Sequence, residues 1–126
     1  MQIKINQNHF TIRFQMKSAA DQRVFLKIIR YRMPKLLQVA DRIGNIHDIR
    51  FNVLTERTIL FTGYFEGNFN TLMEGLGKSA GTAFDAVFRH VDNPPPMPVS
   101  GNIGHFISWI NRNNIPLSYP VTKNLN

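Results

Sequence analysis

Four histidines, His9, His47, His90 and His105, are the groups suited to moving a proton near neutral pH. No two of them stand four residues apart on a helix beside a third ligand, the spacing that builds a helical metal site. His9 and His47 open strands that the chain order makes neighbours, so they can approach each other. A strand-end histidine also serves as an ordinary hydrogen-bonded or exposed residue, and both uses stay open for His47. His90 precedes Asp92 by two residues, and that carboxylate can orient an imidazole for general-base work. His90 also ends a helix, where a cation suits the helix dipole, so a structural use competes. His105 falls on an exposed turn. The catalytic candidates are therefore His47, His90 and Asp92.

Other chemistry is excluded by residue type. The chain has no cysteine, which removes disulfides, thiol nucleophiles and thiolate metal sites. GxSxG, P-loop and dinucleotide signatures are missing. GLGKSAG at 75–81 resembles a phosphate loop by eye, but its spacing is wrong and it lies in a helical pattern. The net charge is +7. It permits attraction to nucleic acid, anionic lipid or acidic metabolites. Arg23, Lys27 and Arg30 share one side of a helix with few aromatics between them, the pattern of a solvated face and not of a nucleic-acid reader.

These groups need elements to position them. In HFTIRFQM (9–16), Phe10, Ile12, Phe14 and Met16 alternate with Thr11, Arg13 and Gln15, the period of a half-buried strand. Ser18 caps a helix, with Asp21 three residues on. Val24, Phe25, Ile28, Ile29, Leu36, Leu37, Ala40 and Ile43 keep its apolar stripe until Gly44 ends it. Pro34 must kink that helix or split it near Met33. IHDIRFNVL (46–54) and TILFTGYF (58–65), joined by a short turn, predict an antiparallel hairpin. In the first of these, His47, Ile49, Phe51 and Val53 share one face, with Asp48, Arg50 and Asn52 on the other. Asn68 caps a second helix, which runs to Val91 and is weakened near Gly81. HVDNPPPMPV is an extended connector. A further helix follows over 100–113. Residues 115–121 form a short edge strand carrying Pro116 and Pro120, and residues 1–8 and 122–126 are flexible ends.

The resulting order predicts one α+β domain over 1–126, a ferredoxin-like βαββαβ fold. Its four-stranded antiparallel sheet has helices on one face and an extra helix before the last strand. The other face carries Arg13 and Arg50, with Asp48 as their nearest carboxylate and Tyr64 beside them. That face is either wet or packed against a second copy, forming a dimeric α/β barrel around a cavity. Enclosed arginines would then need carboxylates or an anionic ligand. The N-terminal MQIKINQNHF has no signal-peptide pattern and no run approaches 18 apolar residues, so a cytoplasmic chain without a membrane span is expected.

HFTIRFQMK, IGNIHDIRFNVL, TILFTGYFEGNFNTLM, FDAVFRHVDNPPPMPV and FISWINRNNIPLSYP together resemble a bacterial family of small ferredoxin-like proteins, most specifically in HVDNPPPMPV. More distantly they resemble dimeric α/β-barrel proteins, some encoded with peroxidase-like enzymes. The resemblance implies that fold, a homodimer, and a site at His47, Arg50, Glu66, Gly67, His90, Asp92, Asn93 and Tyr119. The chain departs from the family pattern at Asp48, where an aromatic is usual, at Phe65-Glu66 in place of Phe-Asp, and in its shortened ending at Ser118-Tyr119-Pro120.

Three functions follow as expectations. The first is a small-molecule binder or enzyme with a polar pocket on the open sheet face. Arg13, Arg50, Tyr64, Glu66, Asn93 and Tyr119 would hold an anionic aromatic or lipid-like ligand; related barrels act on such compounds, haem included, although no cofactor can be assigned here. The second is a non-catalytic homodimeric interaction module. The third is association with nucleic acid or an anionic surface through the basic charge, and it is the least supported.

Overall fold

The computed structural model describes residues 8–116. Period two does in β1 (Asn8–Gln15) what it requires: Phe10, Ile12 and Phe14 are fully buried, while Arg13 and Gln15 face outward. After β1 the Ser18 hydroxyl accepts the Asp21 N–H at 3.0 Å and opens α1 (Ala19–Ile43). Gly44 closes it in the left-handed region at φ 87°, donating its N–H to the Ala40 carbonyl. Of the two outcomes expected at Pro34, the split near Met33 does not occur, and α1 is one helix of 25 residues with Pro34 inside it. Pro34 and Arg30, whose carbonyl loses its helical donor, are both exposed residues, so the missing bond falls on the solvent side of the helix. Leu36, Val39 and Ala40 are buried, whereas Val24 and Leu37, read as inward, are largely exposed.

β2 (Ile46–Thr55) and β3 (Thr58–Phe65) form the expected hairpin, and β1 joins the other side of β3, giving the order β1-β3-β2 with both pairings antiparallel. The register slips between His47 and Arg50, where Asp48 has φ 55°. This is a bulge, and it changes the sidedness read from alternation. Ile46 and Ile49 are both buried. His47, expected beside Ile49, instead pairs with Tyr64 of β3. Val53, also expected inward, pairs with buried Ile59 but is itself 55% exposed near the hairpin end, just before a second slip.

Asn68 caps α2 (Phe69–Ser79), its side-chain oxygen accepting the Thr71 N–H at 2.9 Å. The long second helix breaks at Ala80, which leaves helical geometry at φ −121° and ψ 24°, and α3 (Gly81–Phe88) follows. A 3-10 turn at Val99–Gly101 leads into α4 (Ile103–Arg112). Gly77 lets α4 lie close: a Cβ there would stand 2.9 Å from both Ile103 and Phe106.

The four-stranded ferredoxin-like sheet is not formed by the described residues, and neither is the dimeric α/β barrel built from it. The sheet has three strands. Just before the fourth strand expected at 115–121, Asn114 makes one isolated bridge to Ile12. Within the described residues the ladder is cut at its start, because the Asn113 N–H is spent on the Trp109 and Ile110 carbonyls of α4 and not on the Arg13 carbonyl. The rest of that expected strand, Tyr119 included, lies outside the described residues. Among the described residues no helix is long and apolar enough to cross a membrane.

Candidate functional site

A strand in an antiparallel ladder turns the backbone groups of successive residues to opposite sides. In β1 the groups of Thr11, Arg13 and Gln15 point away from β3, and two segments meet them. Asn113–Ile115, leaving α4, takes the Arg13 N–H on the Asn113 carbonyl at 2.9 Å and gives the Ile115 N–H to the Thr11 carbonyl at 2.7 Å. His90–Asp92, leaving α3, gives the Asp92 N–H to the Gln15 carbonyl at 2.8 Å and accepts the Lys17 N–H on the His90 carbonyl at 3.0 Å. The two segments do not meet. Between them lies a cleft of about 350 Å³ lined by Arg13, Gln15, Asp92, Asn93, Trp109, Arg112 and Asn113.

Each wall is held by identifiable bonds. Trp109 is buried with its ring 5.3 Å from Phe14 and 5.0 Å from Phe88, and its indole N–H donates to the Asn93 carbonyl at 2.8 Å. Asn93 has φ 50°, a left-handed conformation that asparagine tolerates and that turns the chain off the β1 edge. The Asn113 amide donates to the Trp109 carbonyl, and the Gln15 side-chain oxygen accepts from the Thr58 hydroxyl. The amides are therefore largely occupied by the fold. The charges are not: among the described residues, Arg13, Arg112 and Asp92 have no ion-pair partner within 4.0 Å.

Of the residues singled out by sequence, Arg13, Asp92 and Asn93 meet in this cleft. The others among the described residues lie elsewhere, and Tyr119 is outside them. Arg50 pairs with Asp48 at 3.1 Å, both exposed. His47 stands 3.7 Å from Glu66 and pairs in register with Tyr64, whose ring meets His9 edge-on at 5.1 Å. Burial lowers the His9 pKa. His90 is oriented not by Asp92 but by Asp21, with Nδ1 to Oδ1 at 2.8 Å. His105 is exposed on α4. Among the described residues no group of three or more His, Cys, Asp or Glu is placed to hold a metal ion.

Asp21 thus does two jobs at the start of α1. The Ser18 hydroxyl donates to Oδ2 at 2.6 Å, and this bond, then that of His90, holds the Asp21 carboxyl below the usual carboxylate range. A lowered folded value means the network stabilises the protein above the ordinary carboxylate range, and that this contribution is lost as pH falls through the lowered value. Asp21→Asn is expected to reduce the urea midpoint near neutral pH, with the gap from the parent narrowing in acid. A gap unchanged by pH would mean that Asp21 acts through shape and not charge.

Sequence reasoning missed Trp109, Arg112 and Asn113. Trp109 and Arg112 sit three apart on an amphipathic helix, an ordinary inward and outward pair, and nothing local ties that helix end to β1. The same holds for Asp21, legible as a cap but not as the partner of a histidine 69 residues away. Comparison with known proteins found no matching family model, no matching curated protein and no matching solved structure.

Proposed function

We propose that this domain binds a compact anionic small molecule in the cleft at the outer edge of β1. One observation carries the proposal: the guanidinium-bearing residues Arg13 and Arg112, from the first strand and the last described helix, line a single cleft, and neither is neutralised by a carboxylate among the described residues. Two like charges brought to one concave surface favour an anion, and arginine's planar fork suits carboxylate or phosphate. The volume is at the small end of ligand sites, which run from roughly 300 to 1,000 Å³. Arg50, the other arginine expected to hold an anion, already has Asp48. No imidazole lines the cleft, so its residues are suited to holding a ligand more than to moving a proton. The cysteine-free sequence suits the reducing cytoplasm assumed for this function.

The test is calorimetric titration of the intact protein with phosphate and with small dicarboxylates. Arg112→Gln and Arg13→Gln are each expected to weaken binding about 10- to 100-fold, the loss of a charge-assisted hydrogen bond worth roughly 1.5–3 kcal/mol, with an unchanged melting temperature. Equal affinity in the parent and the double variant would remove this cleft as the site.

A further inference from the structure

We infer that the ligand of this cleft is an acidic α-amino acid, an inference that rests on the anion-binding function proposed above and narrows it. The first ground is the interrupted edge of β1. Each flanking ladder lacks its last bond, so two backbone groups of β1 are left between them. The next donor for the Arg13 carbonyl would be the Asn113 N–H, but that group is turned back on the Trp109 and Ile110 carbonyls at 3.1 and 3.2 Å. On the other side Asp92 gives its N–H to Gln15, after which the chain turns away at Asn93, whose own carbonyl goes to Trp109. The Gln15 N–H is left without a carbonyl. Among the described residues the Arg13 C=O and the Gln15 N–H have no partner, and strand alternation aims both at the gap. An acceptor and a donor flanking one residue are the pair that an added amino-acid backbone satisfies at a sheet edge.

The second ground is Asp92. A plain anion has no use for a carboxylate in its site and is repelled by it. Asp92 nevertheless lines the same cleft as both arginines and forms no ion pair with either. A ligand that is anionic at two points and cationic at a third fits all three charges. Two carboxylates answer Arg13 and Arg112, and an ammonium answers Asp92 and the Arg13 carbonyl. That is the charge pattern of aspartate or glutamate, and the cleft's size admits a molecule of that scale.

The experiment compares matched probes on the intact protein by calorimetry: L-glutamate against glutarate, and L-aspartate against succinate, which differ only by the amino group. At least one amino acid is expected to bind about tenfold or more tightly than its diacid, since the ammonium adds a charge-assisted bond. Asp92→Asn should abolish that preference while leaving the diacid as tightly bound as before or tighter. Arg112→Gln should weaken both members of the pair. If the diacids bind as well as the amino acids and are lost with Arg112→Gln, anion binding stands and the amino-acid inference is overturned. A preference that survives Asp92→Asn also overturns it. If neither the probes nor phosphate binds the parent, the anion-binding function itself fails.

Discussion

Phe14→Ala will lower the free energy of unfolding by about 3–5 kcal/mol, the usual cost of removing a buried aromatic ring. Phe14 is the residue where the layers meet. It is fully buried on β1, and its ring stacks on Phe88 of α3 at 5.6 Å with an interplanar angle of 8°. It meets Phe25 of α1 edge-on at 5.6 Å and Trp109 of α4 at 5.3 Å. One truncation therefore takes contacts from three helices and the sheet together, and the rigid rings around the void cannot collapse into it. Domains of this size are stable by roughly 5–15 kcal/mol, so the variant will stand close to unfolding. Phe14→Leu, which keeps most of the volume, is expected to lose far less. Urea denaturation followed by circular dichroism measures both. A loss below about 1 kcal/mol for alanine would mean that the aromatic cluster repacks freely, contrary to the close packing expected of a protein interior.

The second large effect is at Trp109, where the core and the cleft share a side chain. Trp109→Ala removes a buried ring, at about 3–5 kcal/mol, and strands the Asn93 carbonyl that the indole N–H now serves. Trp109→Phe restores most of the packing but not the donor, and is expected to cost roughly 1–3 kcal/mol for the unserved carbonyl. The two variants separate packing from hydrogen bonding. In Trp109→Phe the amide resonances of Asp92 and Asn93 should shift while those of α1 stay in place. If Trp109→Phe were as stable as the parent and left those resonances unmoved, the Asn93 turn would hold itself and the cleft would not depend on the indole.

Much of the local structure was legible because its causes are local. Alternation in HFTIRFQM placed Phe10, Ile12 and Phe14 inward and Arg13 outward, and the Ser18 and Asn68 caps and the Gly44 stop came from side-chain and backbone preferences acting over a single turn. The errors have equally physical origins. Alternation assumes an unbroken pleat, and the bulge at Asp48 added one residue and carried His47 to the Tyr64 side. Among the described residues, Asn113–Ile115 pairs with β1 only briefly because helix α4 claims the Asn113 N–H first, a competition that hydropathy does not register. His90 found Asp21 and not Asp92, since a cap and a helix end distant in the chain are adjacent in space.

By itself the amino-acid order determined the class of elements, the hairpin, the apolar face of β1 and the absence of thiol chemistry, because each depends on residue type and on neighbours within a few positions. Only the tertiary structure decided which charges share a site. Arg13 and Arg112 are ninety-nine positions apart, and what joins them is the way the end of α4 docks on the outer edge of β1 and stops short of Asp92. That docking is set by the fit of Trp109 against Phe14 and Phe88, a packing relation among distant residues that no local pattern encodes.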